Sequence, residues 1–211
     1  MKKEVFILGV GNNTSVYIDL AEACGFDVIG LYHYDLSRKG EIYFGKKILG
    51  SNEELFSENN LVGKSFSVSV GDNRLRVELS EKIRSMGGKV ITLIHPTASV
   101  SPYATIDEGV TIQANAVVQA GVSIEEDSVV SYLAGVTHTS KIKKGCYIAT
   151  RATVGAYITV DELAFVGMGA TLVSEKLKRV GKRSVVGAGS LVISDVNDTQ
   201  VVAGLPAKPI L

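Results

Sequence analysis

The chain has 211 residues, enough for one large domain or two small ones. Its 22 basic and 22 acidic side chains cancel, and they also cancel separately, with 12 of each sign in residues 1–94 and 10 of each in residues 95–211. This balance argues against a protein that binds nucleic acid by neutralising phosphates. Two cysteines are too few for a disulfide framework or a four-cysteine zinc site, and no apolar stretch reaches the roughly 18–20 residues of a membrane span. We therefore expect a soluble, cytoplasmic protein without membrane insertion.

Residues 1–94 alternate short apolar runs with amphipathic segments, a pattern typical of a small parallel α/β domain. The first apolar run is short and has no small-residue cleavage site, so it indicates a buried strand rather than a signal peptide. Strands are predicted at Val5–Leu8, Val28–Tyr32, Phe66–Val70 and Val90–Leu93. Helices are predicted from Asn13 or Thr14 to about Cys24, from Ser51 to about Glu58, and from Arg74 to Met86.

Three loops follow the predicted strands at the sheet edge where ligands bind in parallel α/β folds: Gly9–Asn13, Tyr32–Asp35 and Gly71–Arg74. The first loop lacks the third glycine of a dinucleotide fingerprint, because residue 14 is threonine. We therefore predict no nicotinamide site. The helix N-terminus behind this loop can hold a phosphate, or the loop is a tight turn without a ligand.

A six-residue repeat dominates residues 95–211. Stepping by six from Val100 to Leu172 gives thirteen consecutive Val, Ile or Leu residues. The step slips by two residues and resumes at Val180, Val186 and Val192. The residue four positions after each of these anchors is usually small or apolar, as at Ala116 and Ala134.

This period predicts a left-handed parallel β-helix of triangular cross-section, in which three six-residue units close a coil of 18 residues. The anchors point inward and stack on their counterparts in neighbouring coils, and sixteen units give about five coils. The alternative, a β-sandwich, requires alternation with period two and turns every 8–12 residues. A γ-type carbonic anhydrase shares the coils but needs three metal-binding histidines on them, and residues 95–211 have only His138 within the coils.

The order of these features resembles the bacterial sugar O- and N-acyltransferases of the sialic acid O-acetyltransferase and UDP-4-amino-sugar N-acetyltransferase type. The resemblance rests on a Rossmann-like domain (1–94), Ile94–Ala98, the six-residue coils (95–211), Val70–Arg74 and the ending Val202–Pro209. It implies a homotrimer that moves an acetyl group from acetyl-CoA to an amino group of a nucleotide-linked sugar, in cell-surface glycan biosynthesis. Transfer to a hydroxyl group is the second expectation. No metal is expected.

The resemblance also implies binding residues in both domains. The N-terminal domain would hold the nucleotide with Gly11, Asn12, Asn13, Thr14, Asp35, Gly71, Asp72, Asn73 and Arg74. The coils would hold acetyl-CoA with Tyr147, Ala156, Gly167, Ser174, Arg179, Lys182, Arg183, Ala188 and Lys208. His33 either lines the nucleotide pocket or lies in solvent, and His95 is expected to be structural.

The resemblance places the general base at His138, two residues after the anchor Val136, where its side chain points out of the coil. An amine must lose a proton to attack a thioester, and an imidazole suits this task at neutral pH. One coil further, 138+18 gives Ala156, whose backbone N–H is the predicted oxyanion donor.

The chain departs from the family at the residue after the histidine. The family usually has an acidic residue there, but this chain has Thr139, a hydroxyl that can orient the ring without adding charge. A second histidine of some members is replaced by Tyr147. An alternative is therefore a weakly active or non-catalytic β-helix protein that binds ligands or assembles partners.

Overall fold

The computed structural model describes residues 3–58 and 60–210, which form two compact units, Met1–Leu93 and Ile94–Leu211. In the described part of the chain, no helix is long and apolar enough to cross a membrane.

The first unit is a six-stranded sheet with helices, built as the apolar runs predict. Its strands are β1 (Lys3–Leu8), β2 (Phe26–His33), β3 (Ile42–Tyr43), β4 (Lys46–Ser51), β5 (Ser65–Val68) and β6 (Lys89–Val90). Its helices are α1 (Thr14–Ala23), α2 (Asn52–Phe56) and α3 (Asn73–Ser85), with a 3₁₀ turn at Leu36–Arg38. The strand order is β3-β4-β2-β1-β5-β6, parallel except for the edge hairpin β3–β4.

Two apolar clusters hold this sheet between its helices. Ile7 and Leu31 pack with Tyr17 and Ile18 of α1 on one side. Leu8 and Phe66 pack with Ile83 of α3 on the other side. Because β1, β2 and β5 are parallel neighbours, the loops that follow them emerge together at the carboxyl edge of the sheet.

The sequence pattern did not predict the hairpin β3–β4, and it predicted the last two strands of this unit as longer than they are. Residues 89–94 form two short strands, β6 and β7 (Leu93–Ile94), and β5 ends at Val68. The hairpin turns at Phe44 and Gly45, both in the left-handed region with φ of 46° and 75°. Asn or Asp usually precedes glycine in such turns, so the Phe-Gly pair gave no hairpin signal.

The second unit is a left-handed parallel β-helix, and its sixteen two-residue strands each contain one of the predicted anchors. They are β8 (Ser99–Val100), β9 (Thr105–Ile106), β10 (Thr111–Ile112), β11 (Val117–Val118), β12 (Ser123–Ile124), β13 (Val129–Val130), β14 (Gly135–Val136), β15 (Lys141–Ile142), β16 (Tyr147–Ile148), β17 (Thr153–Val154), β18 (Thr159–Val160), β19 (Phe165–Val166), β20 (Thr171–Leu172), β21 (Arg179–Val180), β22 (Val185–Val186) and β23 (Leu191–Val192). The chain closes with β24 (Val201–Gly204) and β25 (Ala207–Pro209), which pair antiparallel.

Strand pairing confirms the 18-residue coil. Val118 pairs with Val100 below it and Val136 above it, and Val154 continues the same column. The spacing becomes 20 residues between Val160 and Val180, where the sequence repeat slips. The anchors form one continuous buried core, so the aliphatic stacking that the repeat predicts is the main source of stability in this unit.

Candidate functional site

The loop after β1 is shaped by a buried threonine hydroxyl. Thr14 is fully buried, and its Oγ1 accepts a hydrogen bond from the Gly11 N–H and donates to the Gly9 carbonyl, both at 2.8 Å. Ser69 Oγ lies 3.0 Å from the same hydroxyl and donates to the Gly9 carbonyl as well. These bonds connect the loop after β1 to the end of β5. Gly11 and Asn12 of the same loop remain exposed to solvent.

The hairpin that the sequence missed also reaches this loop. The Tyr43 hydroxyl donates a 3.2 Å hydrogen bond to the Gly11 carbonyl. No signal in the sequence identified Tyr43, because its position depends on the hairpin turn at Phe44 and Gly45.

At the end of β2, His33 and Asp35 are fixed by the backbone. His33 is only 4% exposed, and its Nδ1 accepts the Asp35 N–H at 3.0 Å. The Asp35 carboxylate caps the following 3₁₀ turn by accepting the Ser37 N–H at 2.9 Å. Hydrogen bonding to Ser37 holds the pKa of Asp35 below its ordinary value. The structure thus buries His33 and gives Asp35 a capping role, with its side chain still in solvent.

The third loop, Gly71–Arg74, begins α3. Asp72 caps the helix by accepting the Leu75 N–H at 2.8 Å, and Arg74 pairs on the surface with Glu78. Asn73 accepts a hydrogen bond from the guanidinium of Arg76 at 2.9 Å. A methyl group placed on Gly71 would lie 3.9 Å from Asn13 Nδ2, which shows how closely the first and third loops approach.

Arg76 is a residue that sequence reasoning missed. It is 3% exposed, and its guanidinium donates to the Val70 carbonyl at 3.2 Å as well as to Asn73. These two hydrogen bonds fix the loop Gly71–Arg74, which contains four of the predicted nucleotide-binding residues.

On the β-helix, His138 stands exposed at the corner that follows β14. Its backbone N–H donates to Gln119 Oε1 at 3.0 Å, which anchors the corner to the coil below. Its imidazole meets the ring of Tyr157 edge to face, with centroids 5.3 Å apart and planes at 87°. Among residues 3–58 and 60–210, no side chain hydrogen-bonds to this imidazole. Thr139 is exposed beside it, with a left-handed backbone (φ 62°).

The predicted oxyanion donor lies one coil above His138 and already has a partner. The Ala156 N–H donates a 2.7 Å hydrogen bond to the Ser174 hydroxyl. A methyl group on Gly155 would lie 2.5 Å from that same hydroxyl, so the two coils are in close contact here. An incoming oxyanion would have to exchange with Ser174 Oγ at this N–H.

The other residues predicted to hold acetyl-CoA are spread along the coils. Tyr147 packs against Phe165, with ring centroids 5.5 Å apart. Gly167 has a structural reason to lack a side chain, because a methyl group there would lie 2.7 Å from the Ala188 nitrogen. Ala188 and Lys208 are exposed.

Five basic residues lie around the slip in the repeat: Lys176, Lys178, Arg179, Lys182 and Arg183. Acidic neighbours neutralise two of them. Arg179 pairs with Asp161 and Asp198, and Lys182 pairs with Glu162. These bonds raise the pKa of Arg179 above its ordinary value. In the same loop, Lys176, Lys178 and Arg183 are exposed and form no ion pair with a described residue, and the same holds for Lys208 near the end of the chain.

The described residues contain no cluster of three or more His, Cys, Asp or Glu side chains that could hold a metal ion. The chemistry that the exposed imidazole of His138 supports is proton transfer.

Comparison with known proteins supports the assignment of both units. A family profile for the PglD N-terminal domain matches residues 4–83. GDP-perosamine N-acetyltransferase from Escherichia coli O157:H7 is 24% identical over 173 residues, which cover 81% of this chain and 74% of that protein.

Solved structures match along nearly the whole chain. The acetyltransferase domain of PglB from Neisseria gonorrhoeae FA1090 is 30% identical, with 99% of this chain and 100% of that one covered and a TM-score of 0.90. A histidine-to-alanine mutant of GDP-perosamine N-acetyltransferase from Caulobacter crescentus, in complex with CoA and GDP-perosamine, is 31% identical, with coverage of 98% and 96% and a TM-score of 0.72. Since these similarities extend over both units, this chain belongs to the family of bacterial sugar acyltransferases that join a PglD-type N-terminal domain to a left-handed β-helix.

Proposed function

We propose that this protein transfers the acetyl group of acetyl-CoA to an amino group of a nucleotide-linked sugar, with His138 as general base. The observation that carries the proposal is the similarity, over 98% of this chain, to an N-acetyltransferase whose structure contains both CoA and GDP-perosamine. The PglB acetyltransferase domain in complex with acetyl coenzyme A, at 27% identity and full coverage, supports the same donor. GDP-perosamine, or another sugar nucleotide with a free amine, is the acceptor we propose.

The reaction requires a base that is accessible and close to backbone donors. His138 takes a proton from the sugar amine as the nitrogen attacks the thioester carbonyl. The carbonyl oxygen gains negative charge, for which the Ala156 N–H is the proposed donor once it exchanges its bond to Ser174. The C–S bond then breaks, and the departing CoA thiolate takes the proton from the imidazolium.

The loops of the N-terminal domain suit the nucleotide part of the acceptor. Gly11 and Asn12 are exposed at the N-terminal end of α1, where backbone N–H groups and the helix dipole favour phosphate. Asn13 lies close to the loop that begins at Gly71. Asp35 and Asp72 cap their own turns, and their remaining acceptor capacity is available to ribose hydroxyls or base N–H groups.

We propose that cations without an acidic partner, in the loop at the slip and near the end of the chain, hold the phosphates of CoA. Lys176, Lys178, Arg183 and Lys208 fit this role better than Arg179 and Lys182, whose charges are already paired.

We also propose that the active species is a cytoplasmic homotrimer with acetyl-CoA between adjacent β-helices. Tyr132, Leu133 and Met168 are large apolar side chains exposed at corners of the coils, and burial between copies would stabilise them. Sedimentation at micromolar concentration should give a trimer. A stable monomer would contradict the shared site.

The deciding experiment is a substrate panel. GDP-, UDP-, dTDP- and CMP-linked 4-amino sugars are incubated with acetyl-CoA, and release of free thiol is followed. Matched sugar nucleotides with a hydroxyl in place of the amine report O-acetylation. We expect turnover with at least one amino sugar. Absence of turnover across the panel would favour the alternative of a non-catalytic binding protein.

A further inference from the structure

The ring of Tyr157 contacts the imidazole of His138. The two centroids lie 5.3 Å apart with perpendicular planes, and the Tyr157 N–H points to the His138 carbonyl at 3.4 Å. The residue next to the histidine, Thr139, brings no carboxylate. Tyr157 is therefore placed to restrict how this imidazole rotates.

Neither the backbone nor the core accounts for an aromatic residue at position 157. Tyr157 has a left-handed backbone, with φ of 61°, a conformation that glycine and asparagine adopt at lower cost. The equivalent positions one and two coils below are Thr139 and Gly121, with φ of 62° and 73°, so smaller residues suffice for this backbone. The side chain is also 67% exposed, so it adds little to the stacked core. The ring contact that this side chain makes is with His138.

We propose that Tyr157 is a positioning residue that holds the His138 imidazole ready for proton transfer, in place of an acidic neighbour. The inference rests on the proposed role of His138 as general base. An edge-to-face pair restrains a ring by shape and by the quadrupole of the aromatic system, so it orients the imidazole without adding a charge.

The strength of such pairs sets the size of the effect. Perpendicular aromatic pairs favour the held arrangement by about 2- to 13-fold, the equivalent of about 0.5–1.5 kcal/mol. Removal of the ring should therefore lower kcat by about that factor, without changing KM for acetyl-CoA.

The test uses Tyr157→Gly, whose backbone suits the left-handed position, together with Tyr157→Phe and a control. Leu163→Gly makes the same backbone change at another left-handed corner, with φ of 60°, in a different corner column of the β-helix from Thr139 and Tyr157. We expect Tyr157→Gly to keep its melting temperature within a few degrees and to lose kcat. Tyr157→Phe keeps the ring and should restore kcat, and Leu163→Gly should match the parent protein in kcat.

A second readout does not depend on turnover. The chain has three histidines, so the imidazole signals of His138 can be assigned by comparison with His138→Ala. Loss of the neighbouring ring in Tyr157→Gly should shift the His138 ring protons, whereas Tyr157→Phe should leave them near their original positions. If Tyr157→Gly does not fold, Tyr157→Asn replaces it, since asparagine tolerates this backbone.

Three results would overturn the proposal: full kcat in Tyr157→Gly, equal loss in Tyr157→Phe, or equal loss in Leu163→Gly. The second would indicate a role for the hydroxyl, and the third a general effect on the coils. Failure of the proposed function would give a different pattern of results. His138→Ala would then retain activity, whereas the shift of the His138 ring protons in Tyr157→Gly would still report the contact between the two rings.

Discussion

Gly155→Ala should destabilise the β-helix because the neighbouring coil leaves no room for a methyl group. The added Cβ would lie 2.5 Å from Ser174 Oγ and 2.6 Å from both the Leu172 carbonyl oxygen and the Ser174 nitrogen. Two of these three atoms belong to the backbone, so the coil must shift rather than a side chain rotate. The shift would strain the 3.0 Å bond from the Gly155 N–H to Leu172 and the 2.7 Å bond from the Ala156 N–H to Ser174.

Overpacking of this kind costs about 1–3 kcal/mol, and loss of one hydrogen bond adds about 0.5–1.5 kcal/mol. We expect a total of about 2–4 kcal/mol, which for a protein of this length corresponds to a fall in Tm of about 4–16 °C. Because the displaced coil carries Ala156, activity should fall as well.

Gly135→Ala is the matched control, since a methyl group at Gly135 would meet no atom within 4 Å. Replacement of glycine there restricts the unfolded chain and should leave stability equal or higher by up to about 1 kcal/mol. Thermal melts of both variants, followed by circular dichroism, check the prediction. A Gly155→Ala protein that melts with the parent would refute the reasoning from coil spacing.

Two further predictions concern polar contacts. Thr14→Val keeps the shape of the side chain but removes the hydroxyl that bonds Gly9 and Gly11, so the N-terminal unit should lose about 1–3 kcal/mol in urea unfolding. Thr105→Val, at an exposed strand position, is its control, and equal losses in the two variants would argue against the loop-fixing role. Hydrogen bonds from the Lys182 backbone and from Arg179 lower the pKa of Asp198, so whatever stability this carboxylate contributes is present at neutral pH and disappears as the pH falls through that lowered value. Arg179→Ala should move the carboxyl titration of Asp198, measured by NMR, towards the ordinary aspartate value, and an unchanged titration would show that the backbone bond alone is responsible.

The coils were predictable from the sequence because their structure is local and periodic. Each anchor, from Val100 to Val192, lies on the second residue of a short strand, and the two-residue slip before Val180 appears in the pairing. A six-residue period leaves few alternatives, since the same spacing determines both the strands and their stacking.

The contacts that adapt the site to this chain were not predictable. The ring contact of Tyr157 with His138 spans 19 residues, and it depends on a left-handed backbone that sequence propensity disfavours for tyrosine. The bond between Ala156 and Ser174 arises from the stacking of two coils. In the N-terminal unit, Tyr43 bonds to the Gly11 carbonyl from a hairpin, and Arg76 bonds to the Val70 carbonyl from a helix. Local sequence pattern predicts neither contact.

The most direct test of the account is the single-turnover rate of acetyl transfer by the parent protein and by His138→Ala, at saturating acetyl-CoA and with the best acceptor from the panel. The side chain of His138 points away from the stacked core, so its removal should leave the melting temperature and the binding of acetyl-CoA unchanged. Loss of a positioned general base should lower the rate by about 10²–10⁴. A folded His138→Ala protein that transfers acetyl at the parent rate would contradict the central claim.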